Sequence, residues 1–322
     1  LNRTRFVSDD IIERVEQACK ELHYRSNPVA KNLRNGKSGL IGFVVSNLEN
    51  SFYVSITKGI EKAINSYDYK LLLIDSAESK KKEMENVESL YHQGVEGLII
   101  VPTASDCSYL KDIVPQDFPI VFTDRKPKNW DADMVLLDNK EAAYQVTDSL
   151  ISHGLREIGF VAIEFGDNEN DYVISERVDG YKEALKRAGI SFRSDYLKIA
   201  TLPPTIVNEL LQSHAYNLTD ELLKTPVQGI ISGNNHTAIG LYSCLKDRNV
   251  RIPQDMAVIT FDDDFWLQMV TPPISALAQP AARLGQLSAE RLFFRMHRPH
   301  DAKEQFRLKA RFIPRASSLI ES

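Results

Sequence analysis

The sequence predicts an α/β protein of two tandem Rossmann-like lobes, preceded by an all-α remnant and a short basic helix. Three observations carry this. From Gly39 onward, short apolar strands alternate with helical segments, the grammar of parallel sheets covered by helices. The alternation then returns with similar residues: "IGFVV" at 41–45 and "IGFVA" at 158–162, "KGIEKAI" at 58–64 and "DGYKEAL" at 179–185, "VEGLII" at 95–100 and "VQGIIS" at 227–232, "IVFTD" at 120–124 and "VITFD" at 258–262. Four matching segments in one order specify a duplicated unit. Third, 322 residues with 43% hydrophobic and 26% charged residues can fill two packed cores.

The elements follow in order. "VSDDIIERVEQACKEL" (7–22) has Ser8 as N-cap, acids in its first turn and Ile11, Ile12, Val15, Ala18, Cys19 and Leu22 at helical spacing, with Val7 placed to staple onto Ile12. Too little sequence precedes it to bury that face, so the chain is expected to be truncated ahead of residue 1. "NPVAKNLRNGK" (27–37) starts as a helix at Asn27 and Pro28 and stops after about two turns at Asn35-Gly36. It is too short to be stable alone. Residues 23–38 hold four basic residues and no acidic one in a chain of net charge −5, so positive charge is concentrated where a phosphate backbone would find it.

Strands are expected at "LIGFVVS", "YKLLLID", "VEGLIIV", "FPIVFTD" and "DMVLLD", with helices at "SFYVSITKGIEKAINS" and "KKEMENVESLYHQG" between the first of them. The second series has strands at "REIGFVAI", "DYLKIAT", "VQGIISGNN" and "MAVITFDDD". Apolar runs such as "YKLLLI" are far too short to span a bilayer, and "LNRTRFVSDD" lacks the apolar region of a secretion signal, so a cytoplasmic protein with no membrane contact is expected. Cys19, Cys107 and Cys244 have no paired spacing, which points to neither disulfides nor a zinc site.

In open parallel sheets ligands bind beyond the carboxyl ends of the strands. The residues there are Ser46 to Tyr53, Asp75, Thr103, Asp124 with Arg125, Asp138 with Asn139, Glu164, Asn234 with Asn235, and Asp262 to Asp264. Carboxylates, amides and an arginine beside Phe52, Tyr53 and Trp266 suit a polyhydroxylated ligand, although each polar residue could equally cap a helix. No phosphate loop, G-x-G-x-x-G, G-x-S-x-G or H-E-x-x-H occurs, and "DDD" at 262–264 lacks the Gly and Glu of a calcium loop. No enzyme activity, catalytic residue, metal or cofactor is therefore expected.

From Leu1 to Arg315 the chain resembles the LacI/GalR family of bacterial transcription regulators. The segments that carry the resemblance are the whole stretch from "LNRTRFVSDD" to "GLIGFVV", then "NSFYVSITKGIEKA", "VEGLIIVP", "VFTDR", "VLLDN", "SHGLREIGFVA", "ERVDGYKEAL", "RIPQDMAVITFDDD" and "TPPISALAQP". It implies a periplasmic-binding-protein-like core of type I behind a DNA-binding headpiece, most of whose helix-turn-helix would precede residue 1. The implied division is 1–26 headpiece remnant, 27–38 hinge helix and linker, 39–139 plus 280–310 for the N-terminal lobe, and 140–279 plus 311–322 for the C-terminal lobe.

The resemblance also assigns roles. In the hinge, Leu33 matches the leucine that wedges between base steps of the minor groove, Asn27, Val29 and Ala30 belong to the same DNA-contacting element, and Lys31 and Arg34 face groove and backbone. Around the effector, Phe52 and Tyr53 match pocket walls, Arg177 the arginine that contacts sugar or purine, and Asp262 the carboxylate opposite it; Asp138, Asn234 and Gln279 match further cleft or crossover positions. Two positions depart from the family pattern: Asn235 stands in place of the usual aspartate, and Leu202 in place of a frequent aromatic.

The implied function is an effector-responsive repressor of sugar-catabolism genes, partnered by operator DNA in the full-length protein and by a small sugar-like effector. A sugar-binding receptor without DNA function would need a signal peptide, and a sugar-modifying enzyme a motif that is missing. A homodimer is expected, partly because "PAARLGQLSAERLFFRM" (280–296) offers Leu284, Leu287, Leu292, Phe293 and Met296, more apolar surface than one helix face normally buries against a sheet.

Overall fold

A computed structural model describes residues 8–22, 37–103, 105–165, 172–203 and 208–319. The chain divides into two compact units at Gly39 and Leu40. The first contains helix α1 (Asp9–Glu21), which starts after Ser8 and leaves Ile11, Val15 and Leu22 of its apolar side exposed by 49%, 38% and 77%. The hinge residues Asn27, Val29, Ala30, Lys31, Leu33 and Arg34 lie outside the described residues.

The second unit contains two six-stranded sheets. The first runs in the order β11-β5-β4-β3-β1-β2, from β1 (Leu40–Val45), β2 (Lys70–Asp75), β3 (Leu98–Ile100), β4 (Ile120–Thr123), β5 (Asp133–Leu137) and β11 (Gln305–Leu308), all parallel. The second runs β12-β10-β9-β8-β6-β7, from β6 (Ile158–Phe165), β7 (Leu197–Leu202), β8 (Gly229–Ser232), β9 (Ala257–Phe261), β10 (Ser275–Ala278) and β12 (Arg311–Ile313). Only β12 is antiparallel to its neighbour. The central strands are mostly apolar because helices cover both faces: all three residues of β3 and all five of β9 are buried.

Helices α2 (Ser51–Asn65), α3 (Lys80–His92) and the single turn α4 (Leu110–Ile113) belong to the first lobe. The second carries α5 (Asn139–Ser152), α6 (Tyr172–Arg187), α7 (Asn208–Leu222) and α8 (Asn235–Asp247). Helix α9 (Ala281–His297) returns the chain to the first lobe. Three passages thus join the lobes: β5 to α5, β10 to α9, and Lys309-Ala310 between β11 and β12.

The repeated "KGIEKAI" and "DGYKEAL" have a packing reason. A Cβ on Gly59 would come within 2.0 Å of the Ala282 carbonyl oxygen in α9, and one on Gly180 within 2.0 Å of that of Lys140 in α5. In each lobe one glycine lets the helix that crosses over from the other lobe touch the helix after the first strand backbone to backbone.

Helix α9 corrects the expectation of surplus apolar surface. Leu284, Leu292 and Phe293 are buried in the core of their own lobe, with Leu287 and Met296 packed against it. Tyr67 stacks on Phe293 with ring centroids 4.0 Å apart, completing the cover. The helix lies in a trough between α2 and the sheet, so it buries more than one side. Its end is fixed by Arg295, whose guanidinium reaches Asp133 at 2.8 Å and the carbonyls of Arg298, Pro299, Asp301 and Ala302. Strand β7 begins at Leu197 because Ser194–Tyr196 forms a 3-10 turn. Cys107 and Cys244 are buried, and neither they nor Cys19 form a disulfide. No helix among the described residues is long and apolar enough to cross a membrane.

Candidate functional site

The carboxyl ends of both sheets meet across one cleft, lined by Asn50, Phe52, Tyr53, Glu78, Asp124, Arg125, Ile163, Phe165, Val173, Ile174, Arg177, Asn234, Asn235, His236, Asp262 and Gln279. Its cavity volume is about 50 Å3, well below the roughly 300–1,000 Å3 of open ligand pockets, so the side chains that line the cleft close it tightly.

The first lobe contributes through the start of α2 and the end of β4. Asn50 caps α2 by accepting from the Phe52 amide, which sets Phe52 and Tyr53 on the first helical turn, edge to face. Tyr53 donates its hydroxyl to Asp124 at 3.0 Å, and burial pushes its pKa well above the ordinary value. Arg125 forms a two-pronged pair with Glu78, Nη1 to Oε2 at 2.6 Å and Nη2 to Oε1 at 2.8 Å.

The second lobe contributes Arg177 from the first turns of α6. Its Nε donates to Asn139 Oδ1 at 2.8 Å and its Nη1 to the Gly233 carbonyl at 2.5 Å, while the guanidinium lies 4.0 Å over the Phe261 ring. Asp262 accepts from Gln279 Nε2 at 2.6 Å. Burial raises its pKa to about 6, against the pull of Arg177 and the Gln279 hydrogen bond toward the ionised form. Asn234 caps α8 and donates to the Ile163 carbonyl. His236, in the first turn of the same helix, meets Phe165 edge to face, and burial lowers its pKa. Phe165 pairs in register with Leu202, so an aromatic ring stands one strand away from the position where the family pattern is missing one.

Two polar atoms among the described residues are buried with no protein partner and adjoin this arrangement: Gln279 Oε1 and Asn139 Nδ2. Buried polar groups are normally satisfied, and of these two only Gln279 belongs to a residue lining the cleft, where its oxygen can accept from a hydroxyl. The lobes also touch at the mouth, where Asn235 Nδ2 donates to Asn50 Oδ1 at 2.8 Å and Ser51 Oγ to Asp264 Oδ1 at 2.5 Å.

The structure therefore brings Phe52, Tyr53, Arg177, Asn234, Asp262 and Gln279 into one cleft. Asp138 is not among its lining residues: its carboxylate caps α5 by accepting from the Glu141 amide, and the next residue, Asn139, meets Arg177. Asp75 and Thr103 likewise serve the scaffold, Asp75 accepting from the Leu48 and Ala77 amides and Thr103 bonding Ser76 and Glu83. The triple aspartate does three different things, since Asp263 pairs with Arg315 at 2.7 Å while its neighbours take Gln279 and Ser51. Glu78, Phe165 and His236 were not anticipated. All three lie within three residues of an expected strand-end position, Asp75, Glu164 or Asn235, the only signal that pointed to them.

Comparison with known proteins agrees with this geometry. Residues 38–315 match the family described as periplasmic binding proteins and sugar binding domain of the LacI family. The ribose operon repressor of Haemophilus influenzae is 29% identical over 305 residues, 94% of this chain and 87% of the relative. The HTH-type transcriptional regulator RegA of Clostridium saccharobutylicum is 28% identical over 319 residues, 99% of this chain and 93% of the relative. The crystal structure of a LacI family transcriptional regulator from Enterococcus faecium with bound ribose superposes with a TM-score of 0.73 at 26% identity, covering 86% of this chain and 98% of that one. These relatives are regulators, not enzymes. With a two-sheet core of the type I periplasmic-binding-protein fold matched along 38–315, the chain belongs to the LacI family of transcriptional regulators and contains that family's sugar-binding effector domain.

Proposed function

We propose that this regulator represses sugar-utilisation genes, and that a small sugar, bound between the lobes, governs its hold on operator DNA. The observation that carries the ligand half is the set of polar groups converging on one small cleft, Asp124 and Asp262 with Arg177, Asn234 and Gln279, between the aromatic rings of Phe52 and Phe165. Paired acceptors and donors answer the hydroxyls of a sugar, and aromatic faces its C–H surfaces. The relatives named ribose operon repressors, and the family structure with bound ribose, make ribose the first ligand to test.

The DNA half rests on the basic segment 23–38. In this reading the protein acts in the cytoplasm as a homodimer, Asn27, Val29, Ala30, Lys31, Leu33 and Arg34 contact the operator, and Leu33 is the minor-groove wedge. The ligand favours one relative placement of the lobes, 39–139 plus 280–310 against 140–279 plus 311–322, and thereby changes the spacing of two hinge segments.

A thermal-shift screen with ribose and other monosaccharides tests the ligand half, because a ligand bound only by the folded protein raises its melting temperature. A screen in which no sugar raises it would reject the reading. In the full-length protein, Leu33→Ala should weaken operator binding and leave sugar affinity unchanged; equal loss of both would place the hinge in the core instead.

A further inference from the structure

We infer that Glu78 sets the charge specificity of the cleft, confining it to uncharged sugars and turning away the same sugars as carboxylates or phosphate esters. This rests on the sugar reading above and deepens it. The loop that delivers Glu78 is unusual. Ala77 and Glu78 both have positive φ, 48° and 55°, a conformation that L-residues rarely adopt. The surrounding bonds hold it there: the Ala77 amide donates to Asp75 Oδ1 at 2.8 Å, the Glu78 amide to the Ser46 carbonyl at 2.8 Å, and the Ser79 amide to the Ser76 carbonyl at 3.0 Å. A strained turn next to a binding cleft is a place to look for function. What this turn achieves is to bury a carboxylate, 5% exposed, against Arg125 inside the cleft.

The consequence is electrostatic. A planar guanidinium is the group best shaped to grip a carboxylate or phosphate by two oxygens. Here Glu78 already occupies that fork on Arg125, while Arg177 is directed to Asn139 and the Gly233 carbonyl. The lining then holds three carboxylates, Glu78, Asp124 and Asp262, against two guanidiniums. His236 adds no cation near neutrality because burial lowers its pKa. Nor do the adjoining helix starts present fully open amides, since Asn50 and Asn234 each accept from one amide of the first turn. An anionic ligand would have to enter a buried site of net negative charge or break the Glu78–Arg125 pair, and both are costly. A neutral sugar faces neither penalty, and finds carboxylate acceptors for its hydroxyls.

The test is calorimetric titration of the wild-type protein with ribose, xylose, arabinose, glucose and galactose, each beside its aldonic acid and its terminal phosphate ester. At least one neutral sugar should bind, with its acid and phosphate weaker by about tenfold or more, each tenfold being about 1.4 kcal/mol. Glu78→Gln should narrow that gap by about tenfold through tighter binding of the anionic forms, while the neutral sugar changes less. An acid or phosphate that binds wild-type protein as tightly as its neutral parent would overturn this inference and leave the sugar reading standing. Failure of every compound, neutral or anionic, would reject the sugar reading and this inference with it. A folded Glu78→Gln protein that keeps the wild-type gap would overturn the assignment to Glu78, and Glu78→Ala offers the same comparison if Glu78→Gln does not fold.

Discussion

Asp124 and Asp262 occupy the same place in the two sheets. Each directly follows its strand, β4 or β9, with φ of 67° or 69°, and each donates its amide to the next strand, Asp124 to the Val135 carbonyl at 2.9 Å and Asp262 to that of Leu277 at 3.1 Å. Aspartate is among the few side chains that tolerate this left-handed conformation. The paired motifs "VFTD" and "ITFD" therefore give the cleft one carboxylate from each lobe. Asp124→Ala and Asp262→Ala should each weaken sugar binding by about tenfold to a hundredfold, the span expected for losing a hydrogen bond to a charged group. Calorimetry that finds either variant at wild-type affinity would remove that carboxylate from the site.

Sugar binding should depend on pH through Asp262. Its pKa of about 6 in the empty cleft lies above the ordinary carboxylate value, so the folded protein holds that proton more tightly than the unfolded chain. Its contribution to stability is therefore largest in acid and is lost as pH rises through about 6. Ligand binding has the opposite sign, since sugar hydroxyls donate best to the ionised form. Affinity should be flat above pH 7 and fall below about 6 by up to tenfold per unit. The same titration of Asp262→Asn should lose that slope; a slope that persists would assign it to His236 or Glu83, the other buried groups nearby with shifted pKa values.

Arg177→Lys should not be conservative. A lysine cannot serve Asn139 and the Gly233 carbonyl together while stacking on Phe261, so the variant should lose about 2–3 kcal/mol of stability and most sugar affinity. Urea unfolding and calorimetry on the same sample separate the two effects. Unchanged stability with lost binding would show that Arg177 serves the ligand alone.

Much of the core was legible because its signals are local. Runs such as "GLIIV" and "MAVITF" are almost wholly apolar, as strands covered on both faces tend to be, and Gly59 and Gly180 repeat because the same helix contact is built twice. The edge strands β11 and β12 were not legible: with four and three half-exposed residues they have neither length nor a continuous apolar pattern. In the cleft, Asp138 and Asn139 both end a strand, and only the turn into α5 decides which becomes the cap and which meets Arg177. Glu78 depends on two consecutive left-handed residues, which no propensity foretells. The reading of α9 failed because sequence counts apolar residues, but only the fold shows how many sides of a helix are covered.

Asp133 should be the most damaging single core truncation. It is fully buried and accepts from Arg295 and Arg291, so Asp133→Ala would strand two guanidiniums, one of them only 2% exposed. Breaking a buried pair from one side costs about 3–5 kcal/mol. A loss below about 1 kcal/mol by chemical denaturation would mean that the arginines reach water in the variant.

Gly59→Ala and Gly180→Ala should both destabilise, by about 1–3 kcal/mol or more, because each methyl group would meet a backbone carbonyl that cannot turn aside. Thermal unfolding of the two variants compares the lobes directly. A neutral effect at either site would show that its helix pair can move apart by the space of one methyl group without loss.

The weaving of the chain between the sheets has a consequence for how the protein is made. Ribosomal synthesis proceeds from the N-terminus, and domains ordinarily fold as they emerge. Here the residues that close the first lobe, α9 with Leu284, Leu292 and Phe293 and then strand β11, are translated only after α5 to β10 of the second. Ile56 and Ile60 of α2 must therefore wait uncovered while more than half of the remaining chain is synthesised, and the lobe begun first is finished after most of the other has been made. A message cut short before residue 281 would yield no orphaned N-terminal lobe capable of competing for sugar, only a chain with an open apolar trough for chaperones and proteases to find.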